Sequence, residues 1–146
     1  MSTVKKALDY IQSLAFFYII SIALHEWGHV AAGWIFNVKM IVIYKPDLSG
    51  IAKWTTYPHS TLELAVIGVA GGMTVCILYM LALIFESDRE DRLALCIIGM
   101  GHGFYAIGEV FAVLNIASWS LPSTLFVVGM AVGFLVWSHM FWKKTT

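Results

Sequence analysis

Charge is what this chain has least of. Its 146 residues carry nine Lys and Arg against nine Asp and Glu, 12% in all, about half the share of an ordinary soluble domain. The balance is zero, so no cationic surface suits it to nucleic acid. Cysteine is nearly absent: Cys76 and Cys96 stand inside apolar runs without paired spacing. That excludes a disulfide scaffold and a cysteine-type zinc site. Five histidines in total cannot supply the ligand set of a histidine-box di-iron oxidase. No internal repeat or low-complexity stretch is visible, and aspartate is missing after Asp91. What remains is apolar. Hydrophobic residues make up 60%, with six Trp and nine Phe, and the mean hydropathy is +0.80. The composition is that of an integral membrane protein, and the length allows a single domain, residues 1–146.

A spanning helix needs roughly 20 mostly apolar residues, and four stretches qualify: about 10–36, 61–85, 93–117 and 122–142. The junctions agree. Ser60 with Glu63 forms a capping-box pattern opening the second helix, residues 86–92 (ESDREDR) make a short solvated loop, and Ser120 before Pro122 suits a cap followed by proline in the first turn. The first stretch is too long and too charged for a signal peptide, and no A-x-A site follows it. Between the first two helices, residues 40–57 hold β-branched and aromatic runs around Lys45-Pro46-Asp47-Leu48-Ser49-Gly50, the pattern of a β-hairpin at the membrane surface. The expected fold is thus an all-α membrane bundle of four helices with a short β-hairpin between helices one and two.

Four crossings put both termini on one side. Lys5, Lys6, Arg89, Arg92, Lys143 and Lys144 share it, with Lys39, Lys45 and Lys53 opposite, and the positive-inside rule then places the termini in the cytoplasm. Glycines spaced four apart, Gly68/Gly72, Gly99/Gly103 and Gly129/Gly133, let helices approach closely. His59, His139 and the tryptophans other than Trp27 fall near span ends and are expected at the interface.

The chemistry is concentrated in His25-Glu26-Trp27-Gly28-His29. On a helix His25 and His29 share a face and can grip one ion, while Glu26, about 100° round, reaches water beside it. This is the H-E-x-x-H arrangement, two zinc ligands and a general base. Glutamate and two histidines within a span are costly unless ligated or paired, so they are read as functional. A catalytic zinc site usually takes a third protein ligand. Glu109 is the only carboxylate within the third and fourth helices, and its depth along helix three matches the histidine pair. His102, seven residues earlier on the same face, is the alternative ligand, or else a donor to a developing oxyanion or to Glu109. Asn115 either bonds substrate backbone or satisfies carbonyls at a helix end.

Residues 25–38, HEWGHVAAGWIFNV, resemble the H-E-x-G-H-x-x-x-A stretch of the site-2 protease family of intramembrane zinc metalloproteases. The hairpin with Gly50 is similar to the short sheet that family places after its motif helix. Val69-Ala70-Gly71-Gly72-Met73 looks like its A-G-P segment, with glycine where proline is usual. The likeness covers about residues 16–116. The family's third ligand is an aspartate in an L-D-G motif after an N-x-x-P segment; here Asn115 and Pro122 stand at stretched spacing without an aspartate, so the resemblance requires Glu109 in its place. Many relatives enter the motif helix from the other side of the membrane, which leaves orientation open.

The function expected is zinc-dependent hydrolysis of peptide bonds in membrane-protein substrates, with one Zn2+ per chain held by His25, His29 and Glu109, and Glu26 as the base. Two alternatives stand beside it: a membrane zinc hydrolase of a lipid or small amide, and a non-catalytic metal-binding membrane partner. The partners expected are the lipid bilayer, a transmembrane or membrane-proximal polypeptide substrate and, left open by the sequence, a second copy of the chain.

Overall fold

In a computed structural model that describes residues 3–46 and 49–142, the elements run α1 (Thr3–Ile35), β1 (Met40–Tyr44), β2 (Gly50–Trp54), α2 (Thr61–Phe85), α3 (Arg89–Val113) and α4 (Ser120–Trp142). All four helices are long and apolar enough to cross a membrane. They are apolar all round rather than on one stripe, as lipid-facing helices are. Large side chains such as Phe16, Ile77, Ile84, Val127 and Leu135 lie exposed along them, where a bilayer is the solvent that accepts them. The chain is a multi-pass membrane protein.

Helix α3 is the centre of the bundle. It packs against α1, α2 and α4, whereas α4 packs chiefly against α3 and meets α1 through Phe126, whose ring centre is 6.4 Å from that of Tyr18. Glycine allows the closest crossings: a methyl group on Gly72 would strike the His102 carbonyl and Ala106, and one on Gly129 the Met100 carbonyl and Gly101. Side chains fill the rest, with Val75, Tyr79, Leu95 and Ile98 forming one buried cluster and Leu93, Cys96, Ile97 and Trp137 another. Trp137 is therefore a core residue and not part of the interfacial belt, with the Arg89 guanidinium 5.2 Å from its ring centre. His59 and His139 are exposed at span ends.

Helix boundaries depart from the sequence pattern where charge is carried on a helical turn. Helix α1 begins at Thr3, its first turns bearing exposed Lys5 and Lys6 and half-buried Asp9. Arg89–Arg92 belong to α3, because Glu90 and Asp91 in its first turn complement the helix dipole; the loop shrinks to residues 86–88. Ser120 lies inside α4 and not at its cap, its carbonyl accepting from Thr124 Oγ1 at 3.0 Å. Ser60 does cap α2, accepting from the Glu63 N–H at 3.2 Å, while the Glu63 carboxylate reaches back to the His59 N–H at 2.7 Å.

Helices α1 and α3 end in the same way. Asn37 and Asn115 both have φ 57°. Val38 N–H bonds Gly33 O and Asn37 N–H bonds Trp34 O, just as Ile116 N–H bonds Phe111 O and Asn115 N–H bonds Ala112 O. These are Schellman motifs with asparagine in the left-handed position. Beyond the first, Val38 packs with Ala32 and Ile67, turning the chain into an antiparallel hairpin in which Val42 pairs Ala52 and Tyr44 pairs Gly50. The hairpin leans on α1. Its tip residues Asp47 and Leu48, and the tail lysines Lys143 and Lys144, lie outside the described residues.

Candidate metal centre

Helix α1 carries His25 and His29 on the face that meets α3. Four residues apart, their rings lie edge to face with centres 4.8 Å apart, and the two Nε2 atoms are separated by 3.1 Å. Glu109 reaches them from α3: Oε2 lies 3.5 Å from His25 Nε2 and Oε1 lies 3.3 Å from His29 Nε2. All three residues are 7% exposed. Successive α1–α3 contacts ascend together, Ser21 with His102 and then His29 with Glu109, so the two helices run parallel. Glu109 stands four residues before the end of α3 and His29 six before the end of α1. Glu109 and His29 thus lie within roughly 6–9 Å of those helix ends and His25 about 15 Å from its own; Glu109 is nearer the hairpin side than mid-span because α3 ends at Val113, earlier than its apolar pattern suggests.

The donor set fits a metal ion. Ligand atoms about 2.0–2.1 Å from a tetrahedral zinc stand about 3.3–3.4 Å apart, the spacing found here. Protonation points the same way. His29 Nδ1 lies 2.6 Å from the Ile67 carbonyl, which can only accept, so Nδ1 carries a proton and, in the neutral ring, Nε2 presents a lone pair. That lone pair faces a carboxylate and a second imidazole nitrogen. Glu109 Oε2 has no hydrogen-bond partner; burying such an acceptor unpaired is expensive. A cation among the three removes each deficit at once. The buried group His25, His29 and Glu109 can hold a metal ion. A second acidic group among the described residues, Glu86, Asp88 and Asp91, lies at the α2–α3 turn; Glu86 Oε1 already accepts the Ser87 and Asp88 N–H groups at 2.7 and 2.9 Å.

Two glycines make room. A side chain on Gly71 of α2 would occupy the place of the His29 ring, and one on Gly50 of β2 would strike Glu26 Cγ. Glu26 itself is buried at 8% exposure, and its Oε2 accepts the backbone N–H of Ala52. The hairpin therefore orients the carboxylate and leaves Oε1 as its other oxygen.

His102 is beside the cluster but outside the group of converging ligand atoms. Its ring centre is 5.3 Å from that of His25, and its Nε2 lies 2.9 Å from Ser21 Oγ. The Ser21 hydroxyl donates its one proton to the Tyr18 carbonyl at 2.7 Å, so His102 Nε2–H is the donor to Ser21. Its N–H is thus committed away from any oxyanion and from Glu109, and Nδ1 is left as an acceptor. Asn115 is exposed in its left-handed turn; its backbone N–H satisfies the Ala112 carbonyl at the end of α3, and it is not among the residues lining the cavity described next.

A cavity of about 510 Å³ opens between α1 and α4, lined among others by Ile22, His25, Glu26, Gly50, Tyr105 and Phe126. It exists because α4 leans mainly on α3 and meets α1 across the cavity only through rings such as Tyr18 and Phe126. Tyr105, whose ring meets His25 edge to face at 5.2 Å, was missed by the sequence reading, although it stands one turn before Glu109 and so on its face. Ser21 and the Ile67 carbonyl were missed as well. A serine in an apolar run carries little signal, and a backbone carbonyl carries none.

No family model, curated protein or solved structure matches this chain.

Proposed function

We propose that the protein is a zinc-dependent intramembrane metallopeptidase, similar to the site-2 protease family, cleaving membrane-embedded or membrane-proximal polypeptides. The observation that supports this reading best is the convergence of His25 Nε2, His29 Nε2 and the Glu109 carboxylate at 3.1–3.5 Å, with Glu26 next in sequence to a ligand and facing the same cavity.

His25, His29 and Glu109 would hold the ion. Bound zinc supplies Lewis acidity to water and to the scissile carbonyl. Glu26 Oε1 takes the proton of the attacking water and passes it to the leaving amine, while Ala52 N–H keeps Oε2 in place. Peptide bonds in a spanning helix are shielded by their own hydrogen bonds, so the substrate must be unwound. Strand addition along β2, whose Gly50 borders the cavity, would hold it extended. Burial of the cluster among apolar helices keeps bulk water scarce around it. On this reading four crossings would put both termini on one side, and six cations against three favour the cytoplasm for it.

The size of the cavity supports a second reading. About 510 Å³ also suits a small amide or a lipid ester. Co-expression with a membrane-protein reporter separates the two: the peptidase reading requires cleavage that disappears in Glu26→Gln, and a purified, zinc-loaded protein that hydrolyses amides or lipids but no polypeptide would overturn it.

A further inference from the structure

Two buried nitrogens next to the cluster are without partners, and they are complementary. His25 Nδ1 and His102 Nδ1 are both buried with no hydrogen-bond partner, on rings whose centres lie 5.3 Å apart and 46° from parallel. When His25 gives its Nε2 lone pair to a cation, its one proton must sit on Nδ1, which then needs an acceptor. His102 is fixed in the opposite sense, since its Nε2–H is spent on Ser21 Oγ at 2.9 Å and its Nδ1 lone pair needs a donor. Metal-ligating histidines almost always donate their second N–H to a carboxylate, a carbonyl or water, which fixes the ring and raises its basicity. His29 has such a partner in the Ile67 carbonyl at 2.6 Å. His25 Nδ1 has no such partner, and the adjoining ring of His102 carries an unpaired nitrogen of its own.

We infer that His102 is the positioning residue of His25: in the metal-loaded protein the His25 ring turns so that its Nδ1–H, unpaired here, donates to His102 Nδ1, closing a chain that runs from the Tyr18 carbonyl through Ser21 and His102 to His25. The role needs no change of charge. It needs a neutral His102 held in one tautomer, and Ser21, 0% exposed within α1, sets that tautomer. The ring contacts of His102 with Phe126 and Tyr105, at 5.2 and 6.3 Å between centres, limit its freedom to turn away.

This rests on the metal site proposed above, and metal affinity measured without turnover tests both separately. Full-length protein in detergent is titrated with Zn2+ and with Co2+ against a chelator of known affinity. The wild type is expected to bind one equivalent. His102→Phe, which keeps a ring but no nitrogen, is expected to bind roughly 10- to 100-fold more weakly, the usual cost of losing such a partner. His102→Asn, whose Oδ1 can stand where Nδ1 stood, is expected to recover most of the loss, and Ser21→Ala to show a smaller loss than His102→Phe. The visible absorption of the Co2+ form should shift in His102→Phe and return in His102→Asn. A wild type that binds no metal overturns the metal site and this inference together. A wild type that binds, with His102→Phe and Ser21→Ala both within about threefold of it, overturns this inference alone. Should His102→Phe fail to fold, wild-type affinity in folded Ser21→Ala together with no gain for His102→Asn over His102→Leu overturns it equally.

Discussion

The division of labour within five residues of α1 follows from where each side chain points. His25 and His29 aim one way, to Glu109, and Glu26 aims toward the hairpin. On the proposed reading, removing either imidazole would take a ligand, and removing the charge of Glu26 would take only the base. His25→Ala and His29→Ala are therefore expected to lose metal, measured as zinc per chain after purification. Glu26→Gln should retain metal and lose reporter cleavage by about 10²–10⁴-fold, the usual worth of a general base. Glu109→Ala should lower occupancy sharply, and full occupancy in that variant would exclude it as a ligand. Gly71 gives the least intuitive test. A single methyl there meets the His29 ring, so Gly71→Ala is expected to reduce zinc content although residue 71 supplies no donor atom. Unchanged zinc in a folded Gly71→Ala would mean that the ring has another place to go.

Among the elements, the hairpin has a role beyond linking α1 to α2. Its second strand delivers one N–H to a buried carboxylate, and a hydrogen bond to a charged group contributes about 1.5–3 kcal/mol. Ala52→Pro removes that donor on a strand edge, where proline is tolerated. We expect zinc content to stay at the wild-type level and cleavage to fall by roughly 10-fold or more. Loss of zinc in Ala52→Pro would instead assign the hairpin to holding the metal site. Much at this scale was legible beforehand: the capping pattern at Ser60 and Glu63, the strand pairing and the four apolar runs all come from local chemistry. Helix ends were less so. Arg89 and Arg92 look like loop residues in isolation, but acidic neighbours at a helix start favour the helix, and two asparagines ended helices in a left-handed turn, a position more often marked by glycine.

For the molecule as a whole, the proposed metal would be coupled to the bundle. The candidate ligands come from α1 and α3, and the wall behind them, Gly71 and the Ile67 carbonyl, from α2. An ion bound only by the folded state stabilises it by about 2.7 kcal/mol when present at 100 times its dissociation constant. For a chain of this length that corresponds to roughly 5–10 °C in the unfolding midpoint. Chelator should lower the midpoint in detergent by that amount in the wild type and leave His29→Ala unmoved. Topology is testable at the same scale: single cysteines replacing Lys5 and Lys53, in a chain freed of Cys76 and Cys96, are expected to label from opposite sides of sealed vesicles. Labelling from one side would break the four-span arrangement.

Hydropathy and spacing alone determined that this is a four-span membrane protein with a surface hairpin, and that His25 and His29 share a helical face. Both are properties of a chain's own periodicity, set by bilayer thickness and by 3.6 residues per turn. Depth along parallel helices even singled out Glu109 ahead of His102. Which way His102 turns its proton, that Glu26 is tethered by a strand and that Gly71 yields its space to a ring were decided only when distant segments met. Hydrogen-bond polarity and steric room belong to pairs of residues brought together from far apart in sequence, and no single stretch of sequence encodes a pair.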